Sequence, residues 1–458
     1  MARTQLIGGT ALTGVLATFA LGGAALAQST YGVVINGSET APIDMDTRHS
    51  GGGTLHLEQG ASLIVTSNTE NAINTSTSNA WEFQIDGTLR ADGTAGGIAS
   101  HTDDTVKVGS TGVVESPNGG AAIYNGWSGM TVENSGRISS DKFSIMVANG
   151  TLSLTNNAGA TIEGTVQVAS GGTSSIIDNY GSISGRDGRA ALSLAGEATI
   201  YNRDGATMSS EYNAITASSG VGYLENAGSL TSTNTTDNGT AAAAFYESGT
   251  MINSATGTMS ADIGAWIGNW YELTSTKGTL TNDGTITGER HYGALFYNLT
   301  DASLTNTGTL QGATDGATFA GMTNGEITNS GTITGNRGLY FMTSSFAPTG
   351  HASITNSGTI EGTGTYALEK TSGISYDLTL DTGSNLIGQV QADSSDTLTL
   401  KGTGSEDEDL KGFGSITMAG SAWTLSGDVQ ADALAVSSGD LTLSGADLSF
   451  GSVSIADT

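Results

Sequence analysis

Five histidines and 44 carboxylates are the groups from which this chain could assemble a reactive centre, and it has no cysteine. Cysteine nucleophiles are therefore excluded. His49, His56, His101, His291 and His351 are scattered, with no His-x-x-x-His spacing to hold zinc from one face. No Gly-Asp-Ser-Gly or Gly-x-Ser-x-Gly element marks an activated serine. The best acidic constellation is Asp103-Asp104 beside His101. Glycosidic hydrolysis needs two carboxyl groups facing each other across the scissile bond. Neighbours on a strand point to opposite sides, so these two converge only within a turn, and a solvated loop is expected. The run Glu406-Asp407-Glu408-Asp409 is likewise expected to be a solvated loop, and the Gly-Gly-x-Gly-x-Asp calcium repeat is missing. No metal, no cofactor and no enzymatic activity are expected.

Charge narrows the partners. Acids outnumber bases 44 to 15, for a net charge of −29. Nucleic-acid binding needs basic patches to neutralise phosphates, so no nucleic acid is expected. Docking on anionic lipid is disfavoured for the same reason. The charge suits solubility in an exported protein. Residues 1–27 read as a secretory signal peptide: Arg3, an apolar stretch from Leu6 to Ala24, then Ala25-Leu26-Ala27 before Gln28. No later stretch is apolar enough to span a bilayer as a helix. Without cysteine, stability does not depend on disulfides, although export would permit them.

The elements that must position any site are set by a repeat. An Asn-x-Gly triplet or close variant returns at Asn134, Asn156, Asn179, Asn202, Asn226, Asn253, Asn282, Asn306, Asn329 and Asn356, in steps of 22 to 29 residues. A period of this length means a solenoid. Flanks such as Leu152-Ser153-Leu154 alternate with the period of a strand. A second signal, a small residue followed by an apolar one, recurs as Ala122-Ile123, Ala191-Leu192, Ala214-Ile215 and Ala294-Leu295. Each coil then has at least two short strands, and stacked coils pair them in parallel with right-handed crossovers. The fold class expected is all-β: a right-handed parallel β-helix over residues 28–395, of about 14 coils and about 65 Å at ~4.8 Å per coil. The ten asparagines are expected to be structural. Asn tolerates a left-handed turn, Gly reaches conformations closed to other residues, and stacked amides form a ladder.

Function is expected away from that corner. If the residue after each small one points inward, the next points outward. Between residues 246 and 340 these outward positions are Tyr246, Ile267, Phe296, Phe319 and Tyr340, with Trp270 and Tyr271 close by. They are the candidate binding residues, because a contiguous exposed apolar ridge marks an interaction site and aromatic faces suit sugars or another rod. The repeat fades after residue 395. In residues 396–458, Trp423-Thr424-Leu425-Ser426-Gly427 and Leu441-Thr442-Leu443-Ser444-Gly445 lack the Asn-x-Gly turn and read as a different β segment capping the rod.

Signal peptide, cysteine-free Gly/Thr/Asn-rich β-helix and closing Trp-x-Leu-Ser-Gly element together resemble a bacterial autotransporter passenger of the type V secretion pathway. The stretch from Trp423 to Gly445 is similar to the pertactin-like junction, or autochaperone, segment. The resemblance implies export through the inner membrane and display at the outer-membrane surface of a Gram-negative bacterium, or release. It also implies a partner β-barrel translocator of some 12 strands. No run of amphipathic strands for such a barrel lies in this sequence, and truncation ahead of it is expected. Many such passengers act in adhesion, aggregation or biofilm formation, and some carry enzymes. The function expected is adhesion or autoaggregation by multivalent lateral contact, with other copies of the chain or with host or cell-surface glycans or proteins as partners. A polysaccharide lyase or glycoside hydrolase is the alternative, and a structural stalk is a third.

Overall fold

The computed structural model describes residues 32–48, 52–75, 79–170, 174–234, 239–269 and 274–456. The expected signal segment, 1–27, lies outside them. The chain is an all-β parallel solenoid of about 15 turns. The coils have three strand positions, within the expectation of at least two, and in some coils the second and third run on as one strand, as in Arg137–Val147. In one coil the three are Ala198–Asn202, Thr207–Ser210 and Ile215–Ser219. They pair in parallel with Val221–Asn226, Ser229–Ser232 and Ala241–Phe245 of the next. The Asn-x-Gly corner joins the first strand to the second, and the small-apolar signal marks the third.

Alternation puts every second side chain into one continuous core. In Leu152–Asn156 the two leucines and the asparagine are buried while Ser153 is exposed. Column by column the coils stack like on like: Leu224, Met251, Leu280, Leu304, Ile327 and Ile354 lie in register and are all buried. Each such side chain contributes about 1.5–3 kcal/mol relative to exposure. The glycine of the corner serves a purpose other than the expected one. Gly284, Gly308, Gly331 and Gly358 do not adopt positive φ. A Cβ at Gly331 would instead run into the carbonyl oxygen of Gly308 in the coil below, so close stacking of the coils is what requires glycine there.

The boundary expected at residue 395 is not a break in the stack. Thr397–Leu400 pairs on Ile374–Leu380, and Leu410–Met418, Val429–Val436 and Leu448–Ile455 follow in parallel. A separate three-stranded sheet forms beside them from Thr403–Glu406, Ala422–Leu425 and Asp440–Leu443. Trp423 is buried in it, donates from Nε1 to the Lys401 carbonyl at 2.8 Å, and lies against Gly404. What changes near 395 is the corner chemistry. The asparagine column ends where Asn356 Nδ2 donates to Ser384 Oγ at 2.8 Å. Just beyond, the buried Lys370 ammonium bridges Asp396 at 2.6 Å and Asp393 at 2.7 Å, and its hydrogen bond, with those from Ser395, holds the Asp393 carboxyl down at about 2.

Candidate functional site

The repeated asparagines are the most regular polar feature, and their bonding leaves nothing over for chemistry. All ten are fully buried. Asn134 Nδ2 donates to Asn156 Oδ1 at 2.8 Å, and the same bond recurs from Asn156 to Asn179, then to Asn202, Asn226, Asn253, Asn282, Asn306, Asn329 and Asn356, at 2.8 or 2.9 Å. The second amide hydrogen goes to a backbone carbonyl of the next coil, as from Asn156 to Ser182 and from Asn226 to Thr258. Each amide thus gives both hydrogens and has its oxygen engaged inside the rod.

The ridge expected between residues 246 and 340 does not form. Ile267, Phe296 and Phe319 point into the core and are at most 2% exposed. In these coils the small residue itself faces inward. Ala265, Ala294 and Ala317 stack in register, and the residue two places on is inward as well. The result is an aromatic column inside the rod. Phe296 stacks on Phe319 with centroids 4.7 Å apart and planes 3° from parallel, and Phe319 stacks on Phe341 at 5.2 Å. Tyr246 and Tyr340 do lie on the outward side and are half-buried. Tyr340 is covered by the Arg337 guanidinium, 3.7 Å from its ring centroid. Trp270 and Tyr271 lie outside the described residues.

The outward side of these coils nevertheless carries a compact apolar cluster. Ala244, Trp266 and Leu295 form it in register, with Tyr246 and Tyr297 packed against them. Tyr246 meets Trp266 edge-on at 5.0 Å, and Asn213 Nδ2 donates to its hydroxyl at 3.1 Å. Burial pushes the Tyr246 phenol up to about 12. Trp266 and Leu295 are only 4% and 3% exposed, so this cluster is a packed layer rather than an open ridge.

The remaining titratable groups are engaged separately. His56 Nε2 sits 2.8 Å from Asp86, His101 Nδ1 lies 3.0 Å from the Thr75 carbonyl oxygen, His351 contacts Ser375 and Asp377, and His291 lies 3.9 Å from Asp262. His49 is outside the described residues. Asp103 and Asp104 do not form a facing pair. Asp103 accepts from the Gly129 amide at 2.9 Å. Asp104 is buried rather than solvated, accepts the Trp81 amide at 2.6 Å and the Thr102 hydroxyl at 2.8 Å, and is held above the usual carboxylate range by burial. Asp396 accepts the Tyr376 amide in the same way at the far end. Both carboxylates close a coil edge beneath an aromatic residue. The acidic run also departs from a simple solvated loop: Glu406 is 2% exposed, accepts the Leu386 amide at 3.1 Å, and burial raises its carboxyl to about 7. Among the described residues no three His, Asp or Glu side chains gather to hold a metal.

Two surface features went unnoticed in the sequence. One is a column of outward threonines, Thr281, Thr305, Thr328, Thr355, Thr379, Thr399 and Thr417, in register on consecutive coils. All are exposed or half-exposed. Each sits one residue before the corner asparagine or its equivalent, so the repeat itself carried the signal. The other is a groove of about 240 Å³ over four earlier coils, floored by Gln167, Ser193 and Thr216 and walled by Phe143, Arg189 and Tyr212. Ser193 and Thr216 each follow a copy of the small-apolar signal, but Phe143, Arg189 and Tyr212 belong to no repeat. The geometry defines a parallel β-solenoid, a fold class without an intrinsic activity. No family model matches the chain, and no curated protein or solved structure was found to be similar to it.

Proposed function

We propose that this protein is an exported, non-enzymatic rod, displayed at or released from the surface of a Gram-negative bacterium. In this reading it acts in adhesion or autoaggregation by lateral contact along its length. The carrying observation is the threonine column. Seven consecutive coils present the same side chain in register on an outward strand face, exposed or half-exposed on every coil. One hydroxyl and one methyl per coil, at about 4.8 Å, make a surface that a second rod or an extended polymer can match step for step. A contact worth little on one coil gains avidity when many engage together. Glu326 and Asp377 in the adjacent column set a preferred approach, because like charges directly opposed repel. The signal-peptide pattern, the absence of cysteine and the resemblance to type V passengers support export. The separate structural engagement of Asp103 and Asp104 supports a non-enzymatic role.

The test is replacement of Thr305 and Thr355 by Glu on the exposed face. Both side chains point away from the core, so the circular dichroism spectrum and unfolding midpoint are expected to hold within error. Sedimentation of the purified rod, and settling of cells displaying it, are expected to slow strongly. Unchanged settling with an intact fold would remove this face from the mechanism.

A further inference from the structure

We infer that the groove between Phe143 and Tyr212 is a subsite for an acidic sugar, one uronate-type residue of a carboxylated glycan. This names a ligand class for the adhesive rod and rests on that reading. The floor comes from the outward positions of three successive third strands. Gln167, Ser193 and Thr216 lie in direct register, one per coil. Each is half-buried. Among the described residues the Gln167 amide and the Ser193 hydroxyl have no hydrogen-bond partner, while Thr216 Oγ1 accepts from Asn213 at 3.1 Å and keeps its own hydrogen to give. Donors and acceptors therefore line the floor at about one coil spacing, free to bond the hydroxyls of a sugar laid across it.

The walls are aromatic. Phe143 rises on one side from the irregular part of Arg137–Val147, where the register with the next coil shifts. Tyr212 stands on the other, 42% exposed, in the turn ahead of Ile215. Aromatic faces pack against the C–H face of a pyranose while its hydroxyls bond elsewhere. At about 240 Å³ the groove is smaller than the roughly 300–1,000 Å³ of a drug-sized site, and it is open, which fits one ring of a longer chain.

Arg189 selects the charge. The turn from Arg186 to Arg189, with Asp187 and Gly188 both at positive φ, projects it over the groove. Its guanidinium lies 4.9 Å from the Phe143 centroid. Neighbouring arginines are spent: Arg90 and Arg137 bridge Glu115, Arg137 and Arg186 bridge Glu163, and Arg186 also faces Asp141. Arg189 alone of these pairs with no carboxylate among the described residues. In a chain with 44 acids and 15 bases, an exposed guanidinium beside hydroxyl-bonding groups is suited to a bidentate carboxylate.

The probe is an immobilised panel of galacturonate, glucuronate and sialate oligomers, each beside its methyl ester. The wild-type rod is expected to bind at least one acid form and to bind its ester at least about tenfold more weakly. Arg189→Gln should lower affinity for the acid to that of the ester. Gln167→Ala and Tyr212→Ala should weaken both forms. All three positions are on the surface, and circular dichroism confirms the fold. Binding of no acidic member, equal binding of acid and ester, or an unaffected Arg189→Gln each overturns the subsite. The threonine face has its own settling assay, so loss of the subsite with aggregation intact leaves the adhesive reading standing.

Discussion

Replacing Asn226 by Ala tests whether the asparagine column holds the coils together or merely accompanies them. Three hydrogen bonds disappear: Asn202 Nδ2 to Asn226 Oδ1 at 2.8 Å, Asn226 Nδ2 to Asn253 Oδ1 at 2.8 Å, and Asn226 Nδ2 to the Thr258 carbonyl at 3.2 Å. Asn226, Asn202 and Asn253 are fully buried, so water does not replace the lost partners. A buried polar group left unpaired costs about 1–3 kcal/mol. Asn202 Nδ2 keeps its second bond, to the Ser229 carbonyl, so the main loss is at Asn253 Oδ1 and the Thr258 carbonyl, about 2–6 kcal/mol for the two. Each coil of a solenoid contacts only its neighbours, so the loss falls on the coils on either side of Asn226. Urea unfolding followed by circular dichroism should show an earlier or split transition, and amide exchange should quicken first around residues 200–260. Asn226→Asp sharpens the test. An ionised carboxylate cannot donate to Asn253, so its deficit is expected to be largest at neutral pH and to shrink in acid as a proton returns. Thr131→Ala, at an exposed position, is the control and should stay within about 0.5 kcal/mol. A cost for Asn226→Ala no greater than that of the control would refute the reasoning.

Two further outcomes follow from the core. Phe319→Ala removes a fully buried ring stacked on both faces and should cost about 3–5 kcal/mol in a denaturant titration; a folded, equally stable Phe296→Ser, Phe319→Ser double variant would instead place these rings outside. Glu406 has its folded-state carboxyl raised from 4.5 to about 7 by burial, so the folded state holds its proton where the unfolded state has released it. The stability this gives is full below about pH 4.5 and is lost as pH rises through 7, by up to about 3 kcal/mol. Glu406→Gln should flatten that part of the profile and unfold at higher urea than wild type at pH 8; coincident profiles for the two proteins would discard the assignment.

The solenoid was legible because its period is written in residues that have few substitutes. The corner asparagine must give both hydrogens and engage its oxygen in a dry interior, and the glycine must admit a carbonyl of the coil below. The first two strands could be read from those corners. The third strand was legible only as a weak small-apolar pair, because no invariant turn marks it. The groove was legible only in part. Its floor, Gln167, Ser193 and Thr216, occupies equivalent positions of three third strands, whereas Phe143, Arg189 and Tyr212 come from non-equivalent places, and only the stacked register shows that they meet it. Trp266 and Leu295 were assigned inward because they are large and apolar. They are buried, but within a layer on the outside of the strand.

The inverted ridge shows what information alternation lacks. A period of two states which residues share a face, not which face is inside. Side-chain volume across the core resolves it. Four residues ahead of the corner position the inward residues run Trp81, Asp104, Met130, Leu152 and Ser175 in early coils, then Ala198, Gly222, Gly249, Gly278, Ala302 and Gly325. Along the third strand the register runs the other way: Ser100, Asn125 and Val147 early, then Phe245, Ile267, Phe296, Phe319 and Phe341. The two columns meet. A Cβ on Gly222 would lie 2.7 Å from the Phe245 ring, and one on Gly278 would lie 2.9 Å from Ile267. An interior packed near crystal density cannot hold large residues in both columns of one coil. The first-strand glycines at 222, 249 and 278 thus require the bulky residues at 245 and 267 to be inside. The same compensation, carried along the stack, turns Phe296 and Phe319 inward and leaves Trp266 and Leu295 on the outer side.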